Sequence, residues 1–143
     1  MTCNEGTQNN ADFVLNGTSA SNKVVCNALV TEGDLVLFDR NNHKSNHHGA
    51  LIQAGGMPVY LETARNPWGF IGGMDEHCFD EEYIRAQIAK VDPERARDER
   101  PSVAIIQLGT YDGTIYNARY VMDKIGLCDY PVDSALVMSS SSL

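Results

Sequence analysis

FVLNGTSASNK, residues 13–23, joins a short apolar run to a helix pattern through an Asn-Gly turn. The pattern predicts a strand over residues 12–15 and a helix from about residue 21 to residue 29. A strand, a glycine turn and hydroxyls at a helix N-terminus suit a phosphate, because unpaired N–H groups and the positive end of the helix dipole face the anion. The same hydroxyls are also common helix caps, so this stretch alone leaves both interpretations open.

Composition and charge narrow the class of protein. The 143 residues amount to one domain, and 43% hydrophobic and 21% charged residues are typical of a globular protein. A formal net charge of −8 argues against binding to nucleic acid or to an anionic membrane. No apolar run approaches the roughly 18 residues of a membrane span, and the N-terminal residues lack the form of a signal peptide. Four widely spaced cysteines without a C-x-x-C pair indicate reduced thiols, so we expect a cytoplasmic protein.

Short apolar runs alternate with helix patterns along the chain. Strands are predicted at residues 35–38, 58–61 and 102–108, with a poorer strand, interrupted by a proline, at 129–133. Helices are predicted at about 46–54, 80–90 and 117–125. Because strands that alternate with helices form parallel sheets, we predict an α/β fold with a mostly parallel sheet.

Polar clusters follow the predicted strands. They lie at residues 16–19, 39–45, 110–114 and 133–134. The carboxyl ends of parallel strands share one edge of the sheet, and ligands bind beyond that edge. The four clusters therefore predict one shared site.

Histidines in the second cluster raise the question of a metal site. His43 and His47 are four residues apart, with His48 and His77 nearby in sequence. No carboxylate or thiol completes a ligand set at a suitable spacing, so we predict no metal. The sequence also contains no G-x-G-x-x-G dinucleotide motif after the first strand and no cysteine at an elbow-type turn.

A phosphate loop, a strand-end histidine and a later carboxylate together suit pyridoxal phosphate. This cofactor needs an anion site, a flat contact for its ring and a carboxylate that keeps its pyridine nitrogen protonated. Four long motifs carry a wider resemblance: LNGTSASNK, VLFDRNNHKSNHHGALIQAG, PVYLETARNPWGFIGG and IIQLGTYDGTIYNAR. They closely resemble the bacterial ornithine/lysine/arginine decarboxylase family, and within it the ornithine decarboxylases, from about residue 13 to residue 134.

The resemblance implies a fold and a role for individual residues. The implied fold is part of the large, cofactor-binding domain of the aspartate-aminotransferase type (fold type I). The positions that match the family's phosphate-binding loop are Gly17, Thr18 and Ser19. His43 matches the histidine that stacks on the pyridine ring. Asp133 matches the aspartate that pairs with the pyridine nitrogen, and Ala135 matches the small residue beside the ring. The implied cofactor is pyridoxal 5'-phosphate, and the implied assembly is a homo-oligomer.

The resemblance also implies a reaction, the decarboxylation of the basic amino acid ornithine to putrescine and CO2. The family's Schiff-base lysine lies in a Ser-x-His-Lys motif that the printed sequence does not contain, and Lys44 belongs to the ring-stacking segment instead. Residues 1–12 do not match the family, Leu136 stands where it has tryptophan, and residues 139–142 resemble nothing in it. We therefore expect residues 135–143 to be an aberrant, disordered tail. We therefore expect an ornithine decarboxylase fragment that is inactive alone. The alternatives are a fragment of an arginine or lysine decarboxylase, or a non-catalytic phosphate-binding or association fragment.

Overall fold

Four parallel strands form the sheet of this protein. A computed structural model describes residues 14–107, 109, 115, 117–127 and 134–138. The strands are β1 (Leu35–Asp39), β2 (Met57–Leu61), β3 (Val103–Gln107) and β4 (Ser134–Met138). Their order across the sheet is β2-β1-β3-β4, and each neighbouring pair is parallel. The predicted α/β class with a parallel sheet is confirmed.

Helices connect the strands and cover the sheet. They are α1 (Gly17–Leu29), α2 (Lys44–His47), a π-helical turn that continues α2 (His48–Gln53), a 3₁₀ turn (Glu76–Phe79), α3 (Glu81–Val91) and α4 (Ala118–Leu127). The predicted helices at 46–54, 80–90 and 117–125 are confirmed to within two residues at each end. None of the described helices combines the length and apolar character needed to cross a bilayer.

The two faces of the sheet bury different residues of the same strand. Leu35 and Leu37 of β1 pack on the face covered by α3 and α4. Val36 and Phe38 pack on the opposite face, together with Cys26 of α1. Because successive side chains of a strand point to opposite faces, a strand covered on both sides is a continuous apolar run. This explains the unbroken LVLF pattern.

Close packing of α1 against the π-helical turn occurs at Gly49. A Cβ atom added there would lie 2.8 Å from the Cys26 Cβ and 3.1 Å from the Lys23 Cα. Only glycine allows this approach without a shift of one helix. The contact holds the middle of α1 beside the segment that follows β1. Cys26 and Cys78 are both buried free thiols, and burial raises the pKa of each.

The start of α1 differs from the prediction. The helix begins at Gly17, four residues before the predicted start, and Gly17 itself has a φ of +74°. The predicted strand at 12–15 is wrong for its described part, because Val14 and Leu15 belong to no strand and Leu15 is 94% exposed. A strand needs a neighbour that pairs with its backbone, and none of the described strands pairs with these two residues. Residues 12 and 13 lie outside the described part of the chain.

The last strand also differs from the prediction. The poor strand predicted at 129–133 lies outside the described residues, and β4 begins at Ser134. Residues 135–138, predicted as the start of a disordered tail, pair with β3 residue for residue. The run Ala-Leu-Val-Met contains no proline, so each residue can donate a ladder hydrogen bond, whereas Pro131 cannot. The remaining domain boundaries stay predictions.

Candidate functional site

The first turn of α1 is open to solvent. Gly17, Thr18 and Ser19 are all exposed, and the Asn16 side chain makes no capping hydrogen bond. The first turn contains no acidic residue. Unpaired N–H groups at the positive end of a helix attract anions, and here no side-chain carboxylate of that turn competes for them. This arrangement fits a phosphate.

His43 lies four residues beyond the carboxyl end of β1 and is the N-cap residue of α2. Its backbone is extended, with φ −69° and ψ 139°, and its side chain is half-buried. The Ser45 backbone N–H donates to Nδ1 of His43 at 3.2 Å. The imidazole therefore caps the helix through Nδ1, and this bond restrains the ring. A restrained, half-exposed ring at this edge of the sheet is suited to contact a flat ligand.

Ser45 and Asn22 connect His43 to α1. Ser45 Oγ lies 2.7 Å from His43 Nδ1, and Asn22 Nδ2 donates to the same Ser45 Oγ at 2.9 Å. Asn22 and Ser45 are each only 3% exposed. Asn22 follows Gly17 by five residues, which is about 7.5 Å along the helix axis. The open first turn and the histidine are thus parts of one connected structure.

A buried carboxylate ends β1. Asp39 is fully buried, and its Oδ1 accepts hydrogen bonds from Asn42 Nδ2 at 2.6 Å and from the Gln107 backbone N–H at 2.9 Å. Asn42 Nδ2 also donates to the Ile105 carbonyl oxygen at 2.7 Å. Asn46 Nδ2 donates to Asn42 Oδ1 at 2.6 Å. We call these residues, Asp39, Asn42, Asn46 and Gln107, the Asp39 network. Its hydrogen bonds attach the loop that contains His43 to the end of β3.

The electrostatics of the network are unusual. Burial raises the pKa of Asp39 to about 6, although the hydrogen bonds from Gln107 and Asn42 act in the opposite direction. Asp39 Oδ2 and Asn46 Oδ1 are buried without a hydrogen-bond partner among the described residues. A buried oxygen without a donor disfavours the ionised form of the carboxyl group. Asp39 therefore belongs to the site as an ionisable group that supports the loop.

Sequence reasoning placed residues 39–45 in the predicted site, but it missed the supporting roles of Asp39 and Ser45 and did not select Asn22. Asp39 was recognisable, because it continues the apolar run of β1 without a break and so shares its burial. Asn22 precedes Cys26 by four residues, which places it on the buried face of α1. No comparable pattern marks Ser45, which lies in a polar segment.

The other two histidines of the cluster, His47 and His48, differ in their contacts. The His47 ring stacks on Phe38 with centroids 4.7 Å apart and planes 11° apart, and its centroid lies 5.9 Å from that of Tyr60. His48 is exposed. Within the described ranges, no group of three His, Cys, Asp or Glu side chains is placed to hold a metal ion. His47 is therefore a packing residue in this structure.

Ala135, assigned by resemblance, and Ser134, from the last predicted polar cluster, do not lie at this edge. Ala135 pairs with Ala104 near the start of β3, about 10 Å of strand from its carboxyl end. Ser134 lies at the amino end of β4, so its predicted place in the shared polar edge is wrong. The reason is the in-register pairing of β4 with β3. Asp133 and the cluster at 110–114 lie outside the described residues.

The fold and site define an α/β protein with a strand-end site that suits an anionic, ring-containing ligand. The chain matches the family model described as Orn/Lys/Arg decarboxylase, major domain, over residues 7–140, and it belongs to that family. It is 74% identical over 134 residues to the inducible ornithine decarboxylase of Escherichia coli K12, covering 90% of this chain and 18% of the relative. It is 69% identical over 134 residues to the ornithine decarboxylase of Haemophilus influenzae Rd, covering 90% of this chain and 19% of the relative.

More distant relatives share the fold. The lysine decarboxylase LdcF of Francisella novicida superposes with a TM-score of 0.74 at 34% identity, covering 90% of this chain and 17% of that structure. Identity to four curated lysine and arginine decarboxylases ranges from 34% to 41%. The chain thus spans less than a fifth of the length of the ornithine decarboxylases that it matches. Its identity to the two ornithine decarboxylases above, 74% and 69%, is higher than its identity to these lysine and arginine decarboxylases.

Proposed function

We propose that this chain forms the phosphate- and ring-binding part of a pyridoxal-phosphate-dependent decarboxylase that acts on ornithine. The observation that carries the proposal is the buried link between the open first turn of α1 and His43, because it holds an anion site and a flat contact at one place. The preference for ornithine rests on the identity of 69% to 74% with ornithine decarboxylases. Putrescine and CO2 are the products of that reaction.

The residues have separate proposed roles. Backbone N–H groups of Gly17, Thr18 and Ser19 hold the phosphate, and the His43 ring lies against the pyridine ring. When bound, pyridoxal phosphate supplies an electron-accepting ring for the electrons released as the carboxylate leaves. The role of Asp133 as the partner of the pyridine nitrogen rests on the family resemblance, and the structure does not support the role of Ala135 beside the ring, because Ala135 pairs with Ala104 near the start of β3. A cytoplasmic location and a homo-oligomeric assembly also stay predictions.

The binding experiment uses a ligand that cannot react with lysine side chains. Pyridoxine 5'-phosphate and pyridoxine differ only in the phosphate, and neither carries the aldehyde. We expect the 143-residue polypeptide to bind the phosphorylated compound at least tenfold more tightly, since a helix terminus and a phosphate form charge-assisted hydrogen bonds. Equal affinity for the two compounds, measured by calorimetry, would refute the phosphate site.

The substrate experiment uses a chimera. Residues 14–127 of this chain replace the matching segment of the inducible ornithine decarboxylase of E. coli, from which the chain differs at about a quarter of aligned positions. We expect CO2 release from ornithine to persist and to exceed that from lysine and arginine. His43→Ala in the chimera is expected to lower this activity at least tenfold, because the flat contact is lost. A chimera that is well folded, binds pyridoxal phosphate and is inactive would favour the non-catalytic alternative.

Turnover by the isolated polypeptide is a separate question. None of its lysines lies in a Ser-x-His-Lys motif, and Lys44 is an exposed residue next to His43. We expect no CO2 release from ornithine by a polypeptide of these 143 residues alone. Turnover that Lys44→Ala abolishes would reverse this assignment of Lys44.

A further inference from the structure

In the hydrogen bonds that join Asn22 of α1 through Ser45 to His43, each donor and each acceptor can be assigned. A backbone N–H group can only donate, so the bond from the Ser45 backbone N–H makes His43 Nδ1 an acceptor. The Asn22 amide donates to Ser45 Oγ, which leaves the Ser45 hydroxyl proton to point at the same Nδ1, 2.7 Å away. His43 Nδ1 therefore accepts two hydrogen bonds, from the backbone N–H and the hydroxyl of Ser45, and it can do so only when it carries no proton.

The consequence concerns the tautomer of His43. A neutral imidazole has one N–H donor and one acceptor, so an unprotonated Nδ1 requires the proton on Nε2. Asn22 and Ser45 are each 3% exposed, so water does not compete freely for their hydrogen bonds. Rotation of the ring about the Cβ–Cγ bond would break both contacts to Nδ1.

We propose that Asn22 and Ser45 are positioning residues that hold His43 in its Nε2–H form with a fixed ring plane. Through Asn22 they attach this ring to the helix whose first turn is open to an anion. That the fixed ring plane helps a pyridine ring to stack rests on the function proposed above. The tautomer of His43 does not, because it is a property of the chain without any ligand. A restrained ring loses less conformational freedom when a ligand stacks on it.

The tautomer is measured on the 143-residue chain without ligand, by long-range ¹H–¹⁵N correlation of the histidine side chains at alkaline pH, where imidazoles are neutral. His43→Gln identifies the His43 signals. We expect the Nε2–H pattern for His43. An Nδ1–H pattern in the unmodified chain would overturn the proposal without any variant.

Asn22→Asp tests the direction of the link. The carboxylate replaces an amide donor with an acceptor of the same shape, so the Ser45 hydroxyl turns towards it and presents an acceptor lone pair to His43 Nδ1. We expect the Nδ1–H form to become detectable. Asn27→Asp is the matched control, because Asn27 lies on the same helix, is exposed and gains the same charge. Identical His43 spectra in the two variants would contradict the proposal.

Ser45→Ala separates positioning from phosphate binding, and it also serves if Asn22→Asp fails to fold. It removes the hydroxyl and leaves the backbone N–H bond to Nδ1 in place. We expect affinity for pyridoxine 5'-phosphate to fall about fivefold, since one hydrogen bond that orients the ring is lost, with affinity for inorganic phosphate unchanged. An unchanged affinity for both ligands would show that Ser45 does not position the ring. Failure of phosphate binding with an Nε2–H histidine would instead refute only the proposed function.

Discussion

The Gln107 backbone N–H donates to Asp39 Oδ1 at 2.9 Å, so the carboxylate that ends β1 also caps the end of β3. Asn42 donates to the same oxygen and to the Ile105 carbonyl oxygen, which ties the following loop to both strands. His43 follows Asn42 directly. The position of the candidate ring contact is therefore set by a buried, ionisable group.

Asp39 should make the chain less stable as the pH rises from about 4 to about 6. Its pKa is about 6 in the folded chain and 3.8 ordinarily, so in this window the folded chain binds a proton that the unfolded chain has released. A difference of about two pKa units corresponds to about 3 kcal/mol. Asp39→Asn keeps an acceptor oxygen for Gln107 and removes the charge. Urea unfolding should show the variant more stable than the parent above pH ~7, and the two about equal at pH ~4.

Asp34→Asn is the control for the sign of this effect. The Thr31 backbone N–H and hydroxyl donate to Asp34 Oδ2 at 2.8 Å and 2.9 Å, and these bonds lower the pKa of Asp34. Asp34 therefore adds stability above its ordinary pKa, and that stability is lost as the pH falls. The two substitutions should change the pH profile in opposite directions. An Asp39→Asn profile parallel to that of the parent between pH ~4 and ~6 would contradict the assignment.

Ser19→Asp should change stability and phosphate affinity in opposite directions. A carboxylate in the first turn of α1 complements the helix dipole and should add about 0.5 kcal/mol to the free energy of unfolding. The same charge repels a phosphate at that turn and should weaken pyridoxine 5'-phosphate binding by about tenfold. Chemical denaturation and calorimetry measure the two effects. Asn27→Asp, in the last turn of α1, should produce neither gain in stability nor loss of affinity; a tenfold loss there would point to a general charge effect.

Gly49→Ala should destabilise the chain by about 2 kcal/mol. The added methyl group meets the Cys26 Cβ at 2.8 Å, and relief of that overlap requires α1 to move away from the π-helical turn. Because α1 carries Asn22, the variant should also disturb the His43 signals. Gly109→Ala is the comparison, since nothing lies within 4 Å of a Cβ atom there. Urea midpoints that agree for the two variants would show that the helix contact is more adaptable than the structure indicates.

His47→Ala should cost about 1 to 2 kcal/mol of unfolding free energy, because the ring packs on Phe38 and lies near Tyr60. His48→Ala should be close to neutral, since His48 is exposed. Thermal unfolding of the two single variants compares adjacent histidines under identical conditions. If zinc raised the melting temperature of the parent chain and not of His47→Ala, His47 would be a metal ligand after all.

Local patterns were sufficient for most of the individual elements. The runs LVLF and VAII are continuous and apolar, and a strand buried on both faces requires that pattern. Apolar spacing likewise indicated α3 and α4 to within two residues. The pattern was insufficient at Val14–Leu15, where a strand depends on a neighbouring strand rather than on its own residues. It was also insufficient at residues 135–138, whose pairing with β3 is a long-range choice.

The sequence by itself determined the α/β class and the polar segment after β1. It also determined the resemblance through which Gly17–Ser19 and His43 were proposed as cofactor-binding residues. These features depend on residues close together in the chain. Only the tertiary structure decided that Asn22 reaches Ser45 across 23 positions, and that Asp39 reaches Gln107 across 68. Such contacts depend on the order of the strands and on the approach of α1 at Gly49. Hydrogen bonds between distant residues leave no periodic signal, so the support of the site became visible only once the sheet and helices were assembled.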